Sequence, residues 1–505
     1  MSSKRLMVGI ALAGILGSSL PATAAVNILR SFAGGAGDGE VPRGSLCISG
    51  PTVYGMTSMG GAFGQGTIFR MNTNGSGYSV LHSFGGAGDG QTPFRSLIIS
   101  GTMVYGTTYN GGSASDPGAG GTVFRMNTDG TGYVILHNFD GALGGGTNPD
   151  GALCLAGSTL YGITTAGYNP EGMPNNMGTV FRVNTDGTGF SDLHAFPVTD
   201  SSTNATDGMN GHGTLALSGS TLYGATSGGG AFGLGTIFRI NTDGSGFGLV
   251  HSFAGGAGDG ALPNSPIVSG ATIYGMTSLG GSGGGAGTIY RMNTDGTGYS
   301  VLYAFAWDGL ITGGTFPYEG SVILSGGRLY GMTTQGGTLD RGTIFRMNTD
   351  GTSYGVLHSF AAGPADGSEP YDSLIPSDST LYGMTTSGGS AFKGTIFSLV
   401  PGTVSVAGDL PGAVLGVLRA APNPFRSAVS ITGALSGQRS GLARVEVFDA
   451  AGRRVRSTRA PVVDGRVGIQ WSGRDDAGMR LPAGTYLVRF RLGSASATTS
   501  VVLVP

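Results

Sequence analysis

The tetrapeptide Gly-Thr-(Ile/Val)-(Phe/Tyr) opens at Gly66, Gly121, Gly178, Gly235, Gly287, Gly342 and Gly394, in steps of 52 to 57 residues. A period of that length, carried by short apolar runs between Gly-rich turns, points to a circular array of small sheets. What recurs in every unit is expected to build the fold, so chemistry is to be sought in what does not repeat. Glycine supplies 100 of the 505 residues but shows no Gly-X-Y period, which excludes collagen, and 39% apolar content is too high for a disordered linker.

Unit two shows the grammar. An apolar run at 96–100 is followed by a Gly101-Thr102 turn, a second run at 104–108 and a Gly-rich loop. The tetrapeptide strand 121–126 comes next, then the turn Asn127-Thr128-Asp129-Gly130 and a last run at 133–139. These are four strands, A to D. The Asn-Thr-Asp-Gly turn returns at Asn184, Asn241, Asn293 and Asn348, and as Asn72-Thr73-Asn74-Gly75. Between apolar runs it reads as a hairpin turn in which Gly takes positive φ, rather than as a calcium loop.

The ends of the array carry the strongest inference. Residues 26–32 form a lone D strand before the first A strand, and no D strand follows the seventh C strand at 394–400. The expected fold is all-β: a seven-bladed β-propeller over residues 26–400, closed by its N-terminal strand. A linker at 401–408 and a small immunoglobulin-like β-sandwich at 409–505 are expected to follow.

Connection lengths choose a face. The step from the tetrapeptide glycine to the D-strand Phe is 18 residues in all six complete units, and from the A-strand start (Leu46 in unit one) to the next Tyr is eight in all seven. Variation is confined to the B-to-C and D-to-A connections, which share one face of an up-and-down blade. Recognition residues are expected there, and Tyr109, Tyr168, Glu171, Trp307, Asp308, Tyr318 and Glu319 are the candidates. The aromatic ones suit stacking on a polysaccharide or gripping a protein. The alternative is a secreted carbohydrate-active enzyme, a glycoside hydrolase or lyase, using loop carboxylates such as Glu171 and Glu319. Nothing in the sequence pairs them, and no His-Glu-x-x-His motif occurs, so no catalytic residue is assigned.

Repetition also argues against chemistry at the recurring polar residues. His82, His137, His194, His251 and His358 share one D-strand position, where other units carry Arg30 and Tyr303. Outer strands of different blades diverge, so these rings are read as structural, and no metal or cofactor is expected. Asp38, Asp89, Asp259 and Asp366, each in Asp-Gly-x-x-Pro, are expected to cap their own turns. Cys47 and Cys154 hold equivalent places in units one and three, too far apart for a disulfide.

Lys4 and Arg5, the apolar stretch from Leu6 to Leu20 and Ala22-Thr23-Ala24-Ala25 form the charge, core and cleavage pattern of a secretory signal peptide, residues 1–25. No later segment has about 18 uninterrupted apolar residues, so no membrane span is expected in the mature chain. Residues 409–505 hold thirteen Arg against six acids, and 26–408 hold 12 basic residues against 23 acids. Neither part has a basic stripe interleaved with aromatics, so nucleic acid is not an expected partner.

The run Leu160-Tyr161-Gly162-Ile163-Thr164-Thr165, followed by Gly178-Thr179-Val180-Phe181, Asp186-Gly187 and Leu193-His194-Ala195-Phe196, resembles the GloVer tandem repeat over about residues 26–400. That resemblance implies an exported bacterial protein ending in an anchoring or sorting region. In the tail, Ala421-Pro422-Asn423-Pro424-Phe425, Val445-Glu446-Val447-Phe448-Asp449, Trp471-Ser472-Gly473-Arg474-Asp475 and Ala483-Gly484-Thr485-Tyr486-Leu487 follow in order. They resemble the FlgD-type immunoglobulin-like domain and the sorting domains of type IX secretion cargo. This implies secretion or envelope machinery as a partner of the tail, and a secreted or cell-surface location. The sequence thus points to a non-enzymatic binding or surface protein.

Overall fold

The computed structural model describes residues 26–112, 120–139, 146–168, 174–197, 207–282, 284–306, 313–401, 414–415, 418–436, 440–450, 453–463, 466–492 and 495–505. Every regular element among them is a β-strand, and no helix is long and apolar enough to cross a membrane. The signal-peptide and linker expectations fall wholly or largely outside these residues. The chain divides into two compact units, one ending at Gly402 and the other holding Thr403–Pro505 with the short segment Gly351–Gly355.

Among the described residues, seven antiparallel sheets make up the core of the first unit, each with the hydrogen-bonded order A-B-C-D. Sheet one contains Cys47–Ser49, Thr52–Thr57, Thr67–Asn72 and Ser79–Ser83. Sheet seven takes Ile375–Ser377, Thr380–Gly388 and Thr395–Leu399 from the end of the unit, and its fourth strand, Val26–Ser31, from the beginning. There Ser31 faces Thr395, Arg30 faces Ile396 and Ile28 faces Phe397, with Leu29 bulged out. The D strand of sheet one pairs in the same way, with Ser83 on Thr67, His82 on Ile68 and Val80 on Phe69.

The tetrapeptide explains itself residue by residue. Its Gly66 sits at φ 103, where a Cβ would lie 2.3 Å from the Thr57 carbonyl oxygen. Its Thr forms a buried hydroxyl pair with a B-strand Thr in every sheet, from Thr57 with Thr67 to Thr385 with Thr395, at 2.7–3.1 Å. Each hydroxyl thereby satisfies the other in a dry interior. Its aromatic ring takes a D-strand Phe of the preceding sheet edge-on, a favoured ring geometry. The contacts are Phe84–Phe124, Phe139–Phe181, Phe196–Phe238, Phe253–Tyr290, Phe305–Phe345, Phe360–Phe397 and Phe32–Phe69. The centroids are 5.0–5.7 Å apart and the planes cross at 60–68°. The last of these contacts carries the series from sheet seven back to sheet one. The B-strand Tyr-Gly has the same cause: at Gly106 a Cβ would stand 2.6 Å from Cζ of Phe124.

The Asn-Thr-Asp-Gly turns are hairpins held by their own side chains. The Thr131 N–H and hydroxyl donate to Asp129 Oδ1 at 2.9 and 2.7 Å, and Asn127 Nδ2 donates to Thr131 Oγ1.

The described strands of the second unit form one hydrogen-bonded path of seven, with an eighth, Arg419–Ala421, paired to one of them off the path. Val429–Ser436 pairs along Arg466–Trp471, and Ser440–Phe448 pairs along Arg454–Val463 and Gly484–Leu492. Arg454–Val463 and Arg466–Trp471 share only two pairs, at their turn. The path therefore folds into two layers around Trp471, Ile431, Val445, Val488 and Phe490, all at most 1% exposed.

Candidate functional site

The two variable connections of each sheet lie side by side. Gly39 and Glu40, leading into strand A of sheet one, pair with Gly60 and Met59 of its B-to-C connection, and Val41 N–H reaches back to the Lys393 carbonyl of sheet seven. The D-to-A connections then run inward to the A strands. Those strands surround a cavity of about 440 Å³ lined by Leu46, Ile98, Leu153, Leu215, Ile267, Val322 and Leu374, one from each sheet.

The starts of the A strands are laced by hydroxyls. The Ser45 N–H donates to Ser96 Oγ at 2.7 Å, Ser373 N–H to Ser45 Oγ at 2.9 Å, Ser321 N–H to Ser373 Oγ at 2.7 Å and Thr214 N–H to Ser265 Oγ at 2.8 Å. Just before them, charged groups from different sheets converge. The buried Arg95 guanidinium donates to Asp150 Oδ1 at 2.7 Å and pairs with Glu319. Asp372, which also lines the cavity, accepts from the Ser373 N–H at 2.7 Å and lies within electrostatic reach of Arg95.

Burial pushes the Asp150 and Asp372 carboxyls up in spite of Arg95. Burial also works on Glu319, but Arg95, His212 and Arg43 hold it below the usual carboxylate range. The three carboxylates in turn bind the proton of Arg95 more firmly than usual, against its own desolvation.

Beside this cluster, Arg43 stands over the rings of Phe94 and Tyr371 at 4.9 and 5.4 Å. Phe94 packs on Tyr109 at 4.9 Å and Tyr371 on Tyr318 at 5.7 Å. Burial pushes the Tyr371 hydroxyl up to about 12. The Nε of Arg43 and the Nε2 of His212 are buried without a hydrogen-bond partner. The site thus offers aromatic faces, two unused nitrogens and carboxylate acceptors within one small area.

Of the residues expected from the sequence, three come to this place. Tyr109 is half-buried against Phe94 and Tyr318 is 46% exposed. Glu319 arrives as the ion-pair partner of Arg95. Tyr168 ends the strand Thr159–Tyr168, its backbone paired with Pro174. Glu171, Trp307 and Asp308 lie outside the described residues.

Arg43, Phe94, Arg95, Asp150, His212, Tyr371 and Asp372 were not among the expected site residues, although the sequence carries a signal for all but Arg95 and Asp372. Aligning the units on Leu46, Leu97, Leu153, Leu215, Pro266, Val322 and Leu374 puts Arg43, Phe94, Asp150, His212, Pro263, Glu319 and Tyr371 in one column. Pro263 packs on Gly235 as Pro42, Pro93 and Pro149 pack on Gly394, Gly66 and Gly121, but the six unlike residues in the other units mark a position freed from scaffold duty.

The D-strand histidines are structural in a way that repetition alone did not reveal. His82 pairs with Asp89 at 2.8 Å and stacks on Tyr133 of the next sheet at 4.0 Å, and Tyr133 donates to Asp89 at 2.7 Å. His251 and His358 pair with Asp259 and Asp366. Arg30 fills the same role, paired with Asp38 at 2.7 Å over the Tyr78 ring. The aspartates also cap their turns, as Asp89 does for the Gly90 N–H at 2.7 Å. Cys47 and Cys154 are free, and burial pushes the Cys47 thiol up to about 12.

The family model described as the Gloeobacter/Verrucomicrobia repeat matches residues 13–216, 89–285 and 269–410. The chain belongs to this repeat family. The FlgD Ig-like domain matches residues 426–496, so an immunoglobulin-like domain follows the repeats. No curated protein matches it. Among solved structures it is similar to PorZ, an essential surface component of the type-IX secretion system of Porphyromonas gingivalis, at 14% identity and a TM-score of 0.37. That match covers 90% of this chain, and the chain spans 64% of the length of PorZ. A putative TolB from Agrobacterium tumefaciens matches at 12% identity and a TM-score of 0.34, over 64% of this chain and 93% of its own. A fungal alcohol oxidase, solved with copper, matches at 10% and 0.40, over 96% and 100%. Likenesses this distant carry no activity to this chain.

Proposed function

We propose that the repeats close into a seven-bladed β-propeller whose variable-connection end binds a carbohydrate without turning it over, in an exported protein sorted or anchored by its immunoglobulin-like domain. Closure is supported by the N-terminal strand in the fourth place of sheet seven and by the Phe32–Phe69 contact. Export is supported by the charge, core and cleavage pattern of residues 1–25.

The binding reading is carried by one observation: six unlike residues of the column meet where the A strands begin, with Arg43 Nε and His212 Nε2 buried and unpartnered beside the rings of Phe94, Tyr371 and Tyr318. Stacking faces next to mixed donors and acceptors suit a ring of hydroxyls and C–H bonds. A carbohydrate-active enzyme is the second reading, favoured by Asp150 and Glu319 at one site. Both already hold the Arg95 guanidinium, which removes the free acid and base that hydrolysis needs.

A glycan array followed by a hydrolysis screen on every bound glycan separates the readings. Binding lost in Arg43→Ala and Tyr371→Ala, with no product released, is the expected result. Reducing-end release abolished by Glu319→Gln refutes the non-enzymatic reading, and no glycan binding at all refutes the carbohydrate.

A further inference from the structure

Most of the exposed large apolar side chains described in the first unit lie on one kind of connection, the others being Val134 and Leu249 on D strands, Tyr318 and Val400. Phe63, Phe232, Leu339 and Phe392 are 58–59% exposed, and all lie between strands B and C, two or three residues before the tetrapeptide glycine. Each sits on a tight turn, closed by Gly64 N–H to Gly61 O, Gly233 to Gly230, Asp340 to Gly337 and Phe392 to Gly389, at 3.1–3.3 Å. Met59 and Leu279, 46% and 39% exposed, open the same connection in sheets one and five. Single exposed apolar residues are ordinary, but five sheets presenting theirs on the same connection make a surface.

Two features choose its occupant. The sheet-to-sheet ring contacts make sheets six, seven and one neighbours and put sheet four across from them. A polysaccharide strand or a peptide in a groove does not reach Phe232 and Phe392 together, whereas a flat surface touches every tip. The cations beside the tips are paired, Lys393 with Glu40 and Arg341 with Glu369 at 3.5 Å, while Asp340 beside Leu339 accepts from the Gly336 N–H at 2.7 Å. That chemistry matches hydrocarbon beneath neutral headgroups better than hydroxyls or an anionic surface.

We propose that this end of the unit docks peripherally on a lipid bilayer through the apolar tips of its B-to-C connections. The inference rests on the circular order of the sheets and is independent of which ligand the central site takes.

Flotation of the purified protein with phosphatidylcholine vesicles, at low and high salt, tests it. The expected result is salt-insensitive binding, weakened about tenfold or more in the Phe63→Ser/Phe232→Ser/Leu339→Ser/Phe392→Ser variant, with an unchanged unfolding midpoint because the replaced side chains are mostly in water. A separate Phe63→Trp variant, read by fluorescence, should shift its emission to the blue when vesicles are added, so the idea stays testable if the fourfold variant misfolds. Absence of wild-type flotation, equal flotation of the fourfold variant, or binding confined to anionic vesicles and lost in salt overturns it. So does tip-dependent binding to polysaccharide without binding to vesicles.

Discussion

Replacing Phe32 by Ala tests whether the N-terminal strand closes the array. Phe32 is completely buried and meets Phe69 at 5.4 Å and 64°. Phe196, in the middle of the chain, is equally buried and meets Phe238 at 5.4 Å and 68°. Truncating a buried Phe to Ala removes its transfer free energy and leaves a cavity, together about 3–5 kcal/mol. If the strand Val26–Ser31 is a permanent member of sheet seven, Phe32→Ala and Phe196→Ala must cost the same within about 1 kcal/mol. A frayed terminus would instead hide most of the first loss, because a segment already detached from the core has little to lose. Denaturant unfolding followed by circular dichroism gives both midpoints, and the slopes show whether the same surface unfolds in each variant. A Phe32→Ala midpoint near wild type beside a strongly lowered Phe196→Ala midpoint refutes closure. Deleting residues 26–32 should be at least as costly as Phe32→Ala, since sheet seven then exposes its C strand as a free edge.

Three further perturbations probe the scaffold and the central cluster. Arg95→Met leaves Asp150, Glu319 and Asp372 without their cation, a loss of about 3–5 kcal/mol at neutral pH, partly recovered on mild acidification as the carboxyls take protons; a variant no more stable at pH 5 than at pH 7 contradicts the electrostatic account. Asp89 and Asp259 titrate below the usual range: burial opposes this, but hydrogen bonds from His82 and Tyr133, and from His251 and Tyr299, prevail. Because their folded values are depressed, their contribution is present above the unfolded value of about 3.9 and vanishes as pH falls through the folded one. Stability should therefore drop in that acid window, with a shallower slope in Asp89→Asn/Asp259→Asn. Gly106→Ala sets a Cβ 2.6 Å from the Phe124 ring and should cost about 1–3 kcal/mol by overpacking, with part returned in the double variant Gly106→Ala/Phe124→Leu, measured by thermal unfolding.

The β class and the repeat boundaries were legible because each unit spells its turns in residues with one physical use. Asn-Thr-Asp-Gly satisfies its own backbone wherever it stands, and Tyr-Gly faces a C-strand aromatic whose ring forbids a Cβ. Such local rules survive without knowledge of neighbours. The placement of Val26–Ser31 was legible for another reason: counting strands per unit left one missing at one end and one spare at the other. The Asp89–His82–Tyr133 linkage was not, since its members come from a strand, a connection and the following unit, and only packing brings them within 2.7–2.8 Å.

The central cluster was hidden by the habit that found the fold. Looking for function in the longest insertions selects Glu171 and Trp307, yet Arg43, Asp150, His212 and Tyr371 sit at a fixed distance before their A strands, whatever the length of the connection. Length variation records where a chain tolerates extra residues, which is the solvent-facing part of a connection. Residue variation at fixed spacing records something else: a side chain whose backbone is pinned by the scaffold while its chemistry is free to differ. In an array whose D-to-A connections turn inward, such a position is repeated around one centre, so unlike groups are brought together without any of them being near another in sequence. The next position contributes Arg95 and Asp372, and there Arg95 faces carboxylates from three other connections, with Arg43 and the aromatic residues held beside it. A column that varies in identity but not in spacing is therefore the sharper pointer to a binding site in a repeat protein, and here it converges where the A strands of all seven sheets begin.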